Sequence, residues 1–188
     1  MKTINLKHLL VLFTVLSIGF TACTKDDPVP EENQEEYDSA VIKFTNIEDA
    51  DDVVEISFDK DGHPTPHHAH LSVGYSYAMD ITLLYNGQSI NDEIIEAGDE
   101  HQFFFLGAPE EALIYDYVDE QIGLKGIVSI LDPTDAFDWN ILLRHGLDKT
   151  HEAASIWNNP NYAQAGGSDD INITFEIHPT VGDADHDH

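Results

Sequence analysis

The residues best suited to chemistry in this chain are its histidines, which cluster in one short segment. Four of the eleven fall within eight consecutive positions: His63, His67, His68 and His70. In a β-strand, side chains two residues apart face the same side, so His68 and His70 would project together, as two imidazoles must to share one ion. His63 precedes Pro64 and Pro66, and a chain reversal there would bring it to the same ion. The spacing therefore predicts a metal site.

The available donor atoms indicate which metals would bind. Neutral imidazoles are ligands for zinc, copper and nickel, and we expect zinc before copper. Cys23 is the only cysteine, whereas acidic side chains that could hydrogen-bond the imidazoles are abundant. A second His-x-His pair lies in the C-terminal tail, where it would bind weakly by itself. The candidate metal ligands are His63, His67, His68, His70, His101, His186 and His188.

Not every histidine is assigned to this site. His145, His151 and His178 stand singly in the sequence and receive no ligand role. A lone histidine at a strand end is commonly structural, and this interpretation also applies to His101 unless it assists the cluster. For the cluster itself, the alternative is that it titrates at the surface and binds nothing.

The elements that must position these side chains are short strands. From residue 40 onward, β-favouring runs alternate with turn residues, and residues 54–58 alternate apolar with polar side chains. Asn86-Gly87 between two such runs predicts a type I′ hairpin turn. Only residues 91–97 and 151–157 could hold short helices, and residues 158–170 are predicted to be a loop. Residues 39–180 are therefore predicted to form an all-β fold, a single antiparallel β-sandwich that is immunoglobulin-like in outline.

The N-terminus predicts export and lipidation. Lys2 and Lys7 precede an apolar run of about 12 residues, which is too short to cross a bilayer as a helix. Small residues then precede Cys23, as a lipoprotein signal peptidase requires. We predict a signal peptide at residues 1–22, lipidation of Cys23, an acidic flexible tether at residues 23–38 and a flexible Asp/His tail at residues 181–188. The alternative is an ordinary cleavage site with Cys23 a free thiol.

The charge balance restricts the partners of the chain. There are 36 acidic and 8 basic residues, and losing Lys2 and Lys7 with the signal peptide takes the net charge from −28 to −30. Such a polyanion repels nucleic acid, which is excluded as a partner, and cations are its natural counterpart. The charge could also serve only solubility. No catalytic motif such as Gly-x-Ser-x-Gly is present, so the chain is not predicted to be an enzyme.

Several short motifs resemble those of a known group of proteins. They are Asp59-Lys60-Asp61-Gly62, Ile81-Thr82-Leu83-Leu84-Tyr85-Asn86, Glu93-Ile94-Ile95-Glu96, Asp99-Glu100-His101-Gln102-Phe103-Phe104, Gly123-Leu124, Leu143-Arg144-His145 and Gly166-Gly167-Ser168-Asp169-Asp170-Ile171. The chain resembles small Bacteroidota outer-membrane lipoproteins, often labelled "type 1 periplasmic binding fold superfamily" proteins. That label implies two α/β lobes, for which the chain is too short, so the β-sandwich prediction stands.

The same resemblance implies a location in the cell. It suggests an outer-membrane lipoprotein, and Lys25-Asp26-Asp27 after Cys23 is similar to the surface-export signals of that phylum. We therefore expect a cell-surface position, with the periplasmic face as the alternative.

Two functional hypotheses follow, and a hydrolase, which no catalytic motif supports, is a third. The first is a lipid-anchored cell-envelope binding protein that captures zinc or copper through the histidine cluster and delivers it to an outer-membrane transporter. The second is a structural, accessory or adhesion-type lipoprotein that binds a protein or glycan, with no metal role. Heat stability that responds to zinc and chelator would distinguish the first from the second.

Overall fold

The computed structural model of the protein describes residues 36–181. The predicted signal peptide, the lipidation site Cys23, the tail residues His186 and His188 and most of the tether lie outside the described residues. Within the described part of the chain, no helix is long and apolar enough to cross a membrane.

The described residues form eleven strands, one short helix and two 3₁₀ turns. The strands are β1 (Ser39–Asn46), β2 (Val53–Asp59), β3 (Pro64–Thr65), β4 (His68–Ser72), β5 (Ser76–Tyr85), β6 (Gln88–Ser89), β7 (His101–Leu106), β8 (Leu113–Tyr117), β9 (Lys125–Ile130), β10 (Phe137–Leu147) and β11 (Gly166–Thr180). The helix is α1 (Asn91–Glu96), and the 3₁₀ turns are Glu152–Ala154 and Tyr162–Ala165. Strands make up 53% and helices about 9% of the structure, which confirms the predicted all-β fold.

Two sheets contain these strands. The first has the order β3-β2-β1-β5-β9-β8, with β6 paired to β5, and the second has the order β4-β11-β10-β7. Neighbouring strands are antiparallel with one exception, because the edge strand β4 runs parallel to β11. In that parallel pair, His68 lies opposite Glu176 and His70 lies opposite His178.

The two sheets pack face to face over an aromatic core. Apolar residues alternate with exposed ones along β11, so that one side of the strand is buried and the other meets solvent. The ring of Phe44 on β1 lies 6.3 Å from that of Trp139 on β10, and Phe58 on β2 lies 5.9 Å from Phe175 on β11. These contacts join the sheets, and the predicted β-sandwich is confirmed.

The outer face of the second sheet is covered only in part. Phe104 on β7 and Leu142 on β10 belong to a small second core, which Ala153, Ala154 and Ala165 from the β10–β11 connection complete. This connection, with its two 3₁₀ turns, shields the β7–β10 half of that face from water. The outward residues of β11 near its C-terminal end and of β4 keep their access to solvent.

Some predictions of local structure are confirmed and others are wrong. Asn86 and Gly87 both have positive φ, at 51° and 73°, and join β5 to β6 as the predicted hairpin turn. The helix expected at residues 91–97 is α1, but residues 151–157 hold only a 3₁₀ turn. The prediction of a loop through residue 170 is wrong, because β11 begins at Gly166. Gly166 and Gly167 adopt positive φ there, which lets the chain enter the strand at a point where side chains would be strained.

Candidate metal centres

Four possible metal ligands meet on the outer face of the β4–β11 pair. Ala69 on β4 and Ile177 on β11 are fully buried, so the residues on either side of each must point outward. Because the two strands are in register, these outward residues form a square. We call the four of them the outer-face cluster: His68, His70, Glu176 and His178.

The three imidazole rings of the outer-face cluster are in contact. The His68 and His178 ring centroids are 4.5 Å apart and nearly parallel, while His70 lies 4.8 Å from His68 and 5.1 Å from His178, edge-on to both. Possible ligand atoms of His68, Glu176 and His178 all lie within 4.8 Å of one another. Nitrogens bound to one tetrahedral zinc ion lie roughly 3.4 Å apart, so side-chain rotations moving these atoms by about 1 Å would suffice.

The electrostatics of the outer-face cluster favour the neutral form of His70. His70 is exposed, but the loss of some water around its ring lowers its pKa, and the charges that His68 and His178 carry when protonated lower this pKa further. A neutral ring is the form that binds a metal, since its free nitrogen must offer a lone pair. The Glu176 carboxylate lies 3.1 Å from Nε2 of His178 and supplies a negative charge beside the rings.

Acidification is expected to destabilise the metal-free protein through His70. Because its pKa is lower in the folded state, the folded protein binds fewer protons than the unfolded chain, and stability falls as the pH drops below about 6.5. Urea denaturation in the presence of a chelator gives the free energy of unfolding at about pH 7.5 and at about pH 5.5. The decrease between these two pH values should be smaller in His70→Asn than in the parent protein. His67→Asn, which removes an exposed neighbouring histidine, should behave like the parent.

The structure separates His63 from the outer-face cluster. His63 lies in the β2–β3 turn, where its Nδ1 is 3.1 Å from the carboxylate of Asp59. Asp59 also accepts backbone hydrogen bonds from Asp61 and His63, and the bond from His63 is the main cause of its lowered pKa. Asp59, Asp61 and His63 form an exposed group of their own, whose central carboxylate already closes the turn. His63 and its carboxylates are therefore a local turn structure.

Two further predicted ligands among the described residues, His67 and His101, are not members of the outer-face cluster. His67 precedes β4 and contributes its backbone carbonyl, which accepts a hydrogen bond from the N–H of Glu176. His101 is fully buried on β7, where its ring lies 4.6 Å from that of His145 on β10. Of the five predicted ligands among residues 36–181, the structure thus brings together His68 and His70.

Sequence analysis missed two members of the outer-face cluster, Glu176 and His178. Their spacing of two residues at the end of the last β-favouring run was a usable signal, because in a strand it puts both side chains on one face. That strand pairs with β4, which is parallel to it and far away in the sequence. No pattern in the sequence indicates this pairing.

Comparison of this chain with known protein families, with curated proteins and with solved structures found no match. The candidate sites are therefore interpreted from their own geometry.

Proposed function

We propose that the protein is a lipid-anchored binding protein of the cell envelope that captures a transition-metal ion, zinc before copper, at the outer-face cluster. The observation that carries the proposal is the meeting of three imidazole rings, within 4.5–5.1 Å of one another, from two different strands. Adjacent surface histidines on a single strand could arise from composition alone. His178, in contrast, meets His68 and His70 only because the fold pairs β11 with β4.

The charge around the outer-face cluster supports a bound cation. Glu176 lies opposite Asp138 on β10, so two carboxylates face each other across neighbouring strands on the exposed side of the sheet. Like charges in that position destabilise a sheet unless they are neutralised. A divalent ion held by His68 and His178 beside Glu176 would offset this repulsion.

The donor atoms of the outer-face cluster explain why we expect zinc to bind before copper. Zinc imposes no geometry of its own and commonly takes four imidazole and carboxylate ligands. In the outer-face cluster, His68, His178 and Glu176 offer ligand atoms within 4.8 Å of one another, and the ring of His70 contacts both of the other imidazoles. Copper(II) favours a tetragonal arrangement of its ligands. The four side chains of the outer-face cluster would have to move further to reach that arrangement than to bind zinc.

Exposure suits a role in capture and transfer. His70 is exposed and His68 and His178 are half-buried, so an ion could enter and leave without opening the core. The N-terminal sequence Phe20-Thr21-Ala22-Cys23 supports a lipid anchor, and Lys25-Asp26-Asp27 supports a cell-surface position on the outer membrane, as in the lipoproteins that the chain resembles. A protein placed there would pass its ion to an outer-membrane transporter.

The test is calorimetric titration of zinc into the full chain in non-ionic detergent, without a purification tag. Both tail histidines are replaced in every sample, by His186→Ala and His188→Ala, so that the tail contributes no heat. Replacing His178 by alanine should weaken zinc binding at the outer-face cluster at least about tenfold, because a ligand is lost outright. His67→Ala, the matched exposed histidine, should leave binding unchanged.

Unchanged zinc affinity in His178→Ala and in His68→Ala would refute the proposal. The outer-face histidines would then be surface residues, and the second hypothesis would replace it: a structural or adhesion-type lipoprotein that binds a protein or glycan.

A further inference from the structure

A second group of possible ligands lies inside the sandwich: His101 on β7, His145 on β10 and Asp170 on β11. His101 and His145 are directly opposite each other across the two strands, with ring centroids 4.6 Å apart. Nδ1 of His145 lies 3.5 Å from Oδ2 of Asp170. All three residues offer ligand atoms within 4.8 Å of one another. We call these three residues the inner cluster.

A β-bulge turns Asp170 into the inner cluster. Leu143 pairs with Ile171, but the next residue, Arg144, pairs with Asp169, so Asp170 is an extra residue in β11. Because Ile171 faces the core, strict alternation would send the side chain of Asp170 outward. Instead, none of its side chain is exposed. Bulges that redirect one side chain in this way are enriched beside functional sites.

The burial of the inner cluster is unusual for its composition. His101 is 0% exposed, and the side chains of Asp170 and His145 are 0% and 13% exposed. A buried carboxylate requires compensation by a positive charge or by hydrogen bonds. Nδ1 of His145 stands beside Asp170, and a metal ion held by all three side chains would supply positive charge there.

The hydrogen bonding of His101 prepares it as a ligand. Its Nδ1 lies 2.9 Å from the backbone carbonyl of Ala97. A carbonyl oxygen can only accept, so Nδ1 donates its proton to it, and in the neutral ring the lone pair is then on Nε2. Histidines that bind metals usually donate their other N–H to a carbonyl or carboxylate in this manner, which fixes the tautomer and the ring orientation.

We infer that the inner cluster is a second metal site, which binds one divalent transition-metal ion through His101, His145 and Asp170. Two imidazoles and one carboxylate are a ligand set of zinc, and they leave a fourth position for water. Along β11, Asp170 and His178 are eight residues apart, or roughly 26 Å, so the inner and outer-face clusters cannot share one ion. The ion would join β7, β10 and β11 at one end of the second sheet and stabilise the fold.

The experiment uses the full chain in detergent, with the outer-face cluster and the tail disabled by His70→Ala, His178→Ala, His186→Ala and His188→Ala. One equivalent of zinc should still bind and raise the urea midpoint, and cobalt in its place should give a visible absorption spectrum that zinc displaces. In the same background, Asp170→Asn should weaken zinc binding at least about 100-fold, because the charged ligand is lost. Asp116→Asn, which removes an exposed carboxylate, is the control and should bind as the background does.

Two results would overturn this inference. One is the absence of zinc binding and cobalt absorption in the background protein. The other is equal zinc affinity in Asp170→Asn and the background. If Asp170→Asn does not fold, as judged by circular dichroism, His145→Gln replaces it under the same criterion. Failure at the outer-face cluster would instead appear as no change in zinc affinity upon His178→Ala, so the two proposals fail separately.

Discussion

Replacing Trp139 with alanine is expected to lower the free energy of unfolding by about 3–5 kcal/mol, the usual cost of truncating a large buried aromatic side chain. Trp139 is 0% exposed at the centre of the sandwich. Its ring lies 5.3 Å from Phe105 in its own sheet and 6.3 Å from Phe44 in the facing sheet. Urea denaturation should be followed by far-ultraviolet circular dichroism, because the substitution removes one of the two tryptophans that fluoresce.

Trp157→Ala is the matched control for this prediction. Trp157 is half-buried and packs at the margin of the same core, so its truncation should cost clearly less. Equal losses in the two variants would mean that the sheets are not held together around Trp139.

The fold was largely predictable because its signals are local. Alternating apolar residues, as in Val54-Glu55-Ile56-Ser57-Phe58, give a strand one buried face wherever it pairs. The Asn86-Gly87 turn follows from the need for positive φ at both positions. Strand partners were not predictable in the same way. The parallel pairing of β4 with β11 joins segments that lie far apart in the sequence, so no local pattern indicates it.

The candidate sites show the same limit. His68 and His70 were found because a spacing of two residues places both on one face of any strand. His178 joins them only through strand pairing, and Asp170 reaches His101 and His145 only through a bulge. His63 was expected at the same ion as His68 and His70, but sequence spacing does not reveal that Asp59 hydrogen-bonds it within its own turn.

Arg144 links the outer surface of the second sheet to the inner cluster. Its guanidinium forms an ion pair with Asp169 and donates hydrogen bonds to the backbone carbonyls of Gly166, at 2.6 Å, and Gly167, at 2.7 Å. It also lies over the ring of Tyr162. These contacts fix the start of β11 beside the bulge, so Arg144 holds in place the residues that precede Asp170.

Replacing Arg144 with methionine is therefore expected to cost about 3 kcal/mol of unfolding free energy, near the lower end for breaking a buried ion pair, since Asp169 keeps some access to water. It should also weaken zinc binding at the inner cluster, because the start of β11 loses its anchor while all three ligands remain. Urea denaturation and zinc titration in the background without the outer-face and tail histidines measure the two effects.

Lys125→Met is the control for this prediction. It breaks the exposed ion pair with Asp80 and should cost less than about 1 kcal/mol of unfolding free energy, with zinc affinity unchanged. A loss of stability in Arg144→Met with full zinc affinity would show that the bulge keeps its shape without the guanidinium, and that the anchor serves the fold alone.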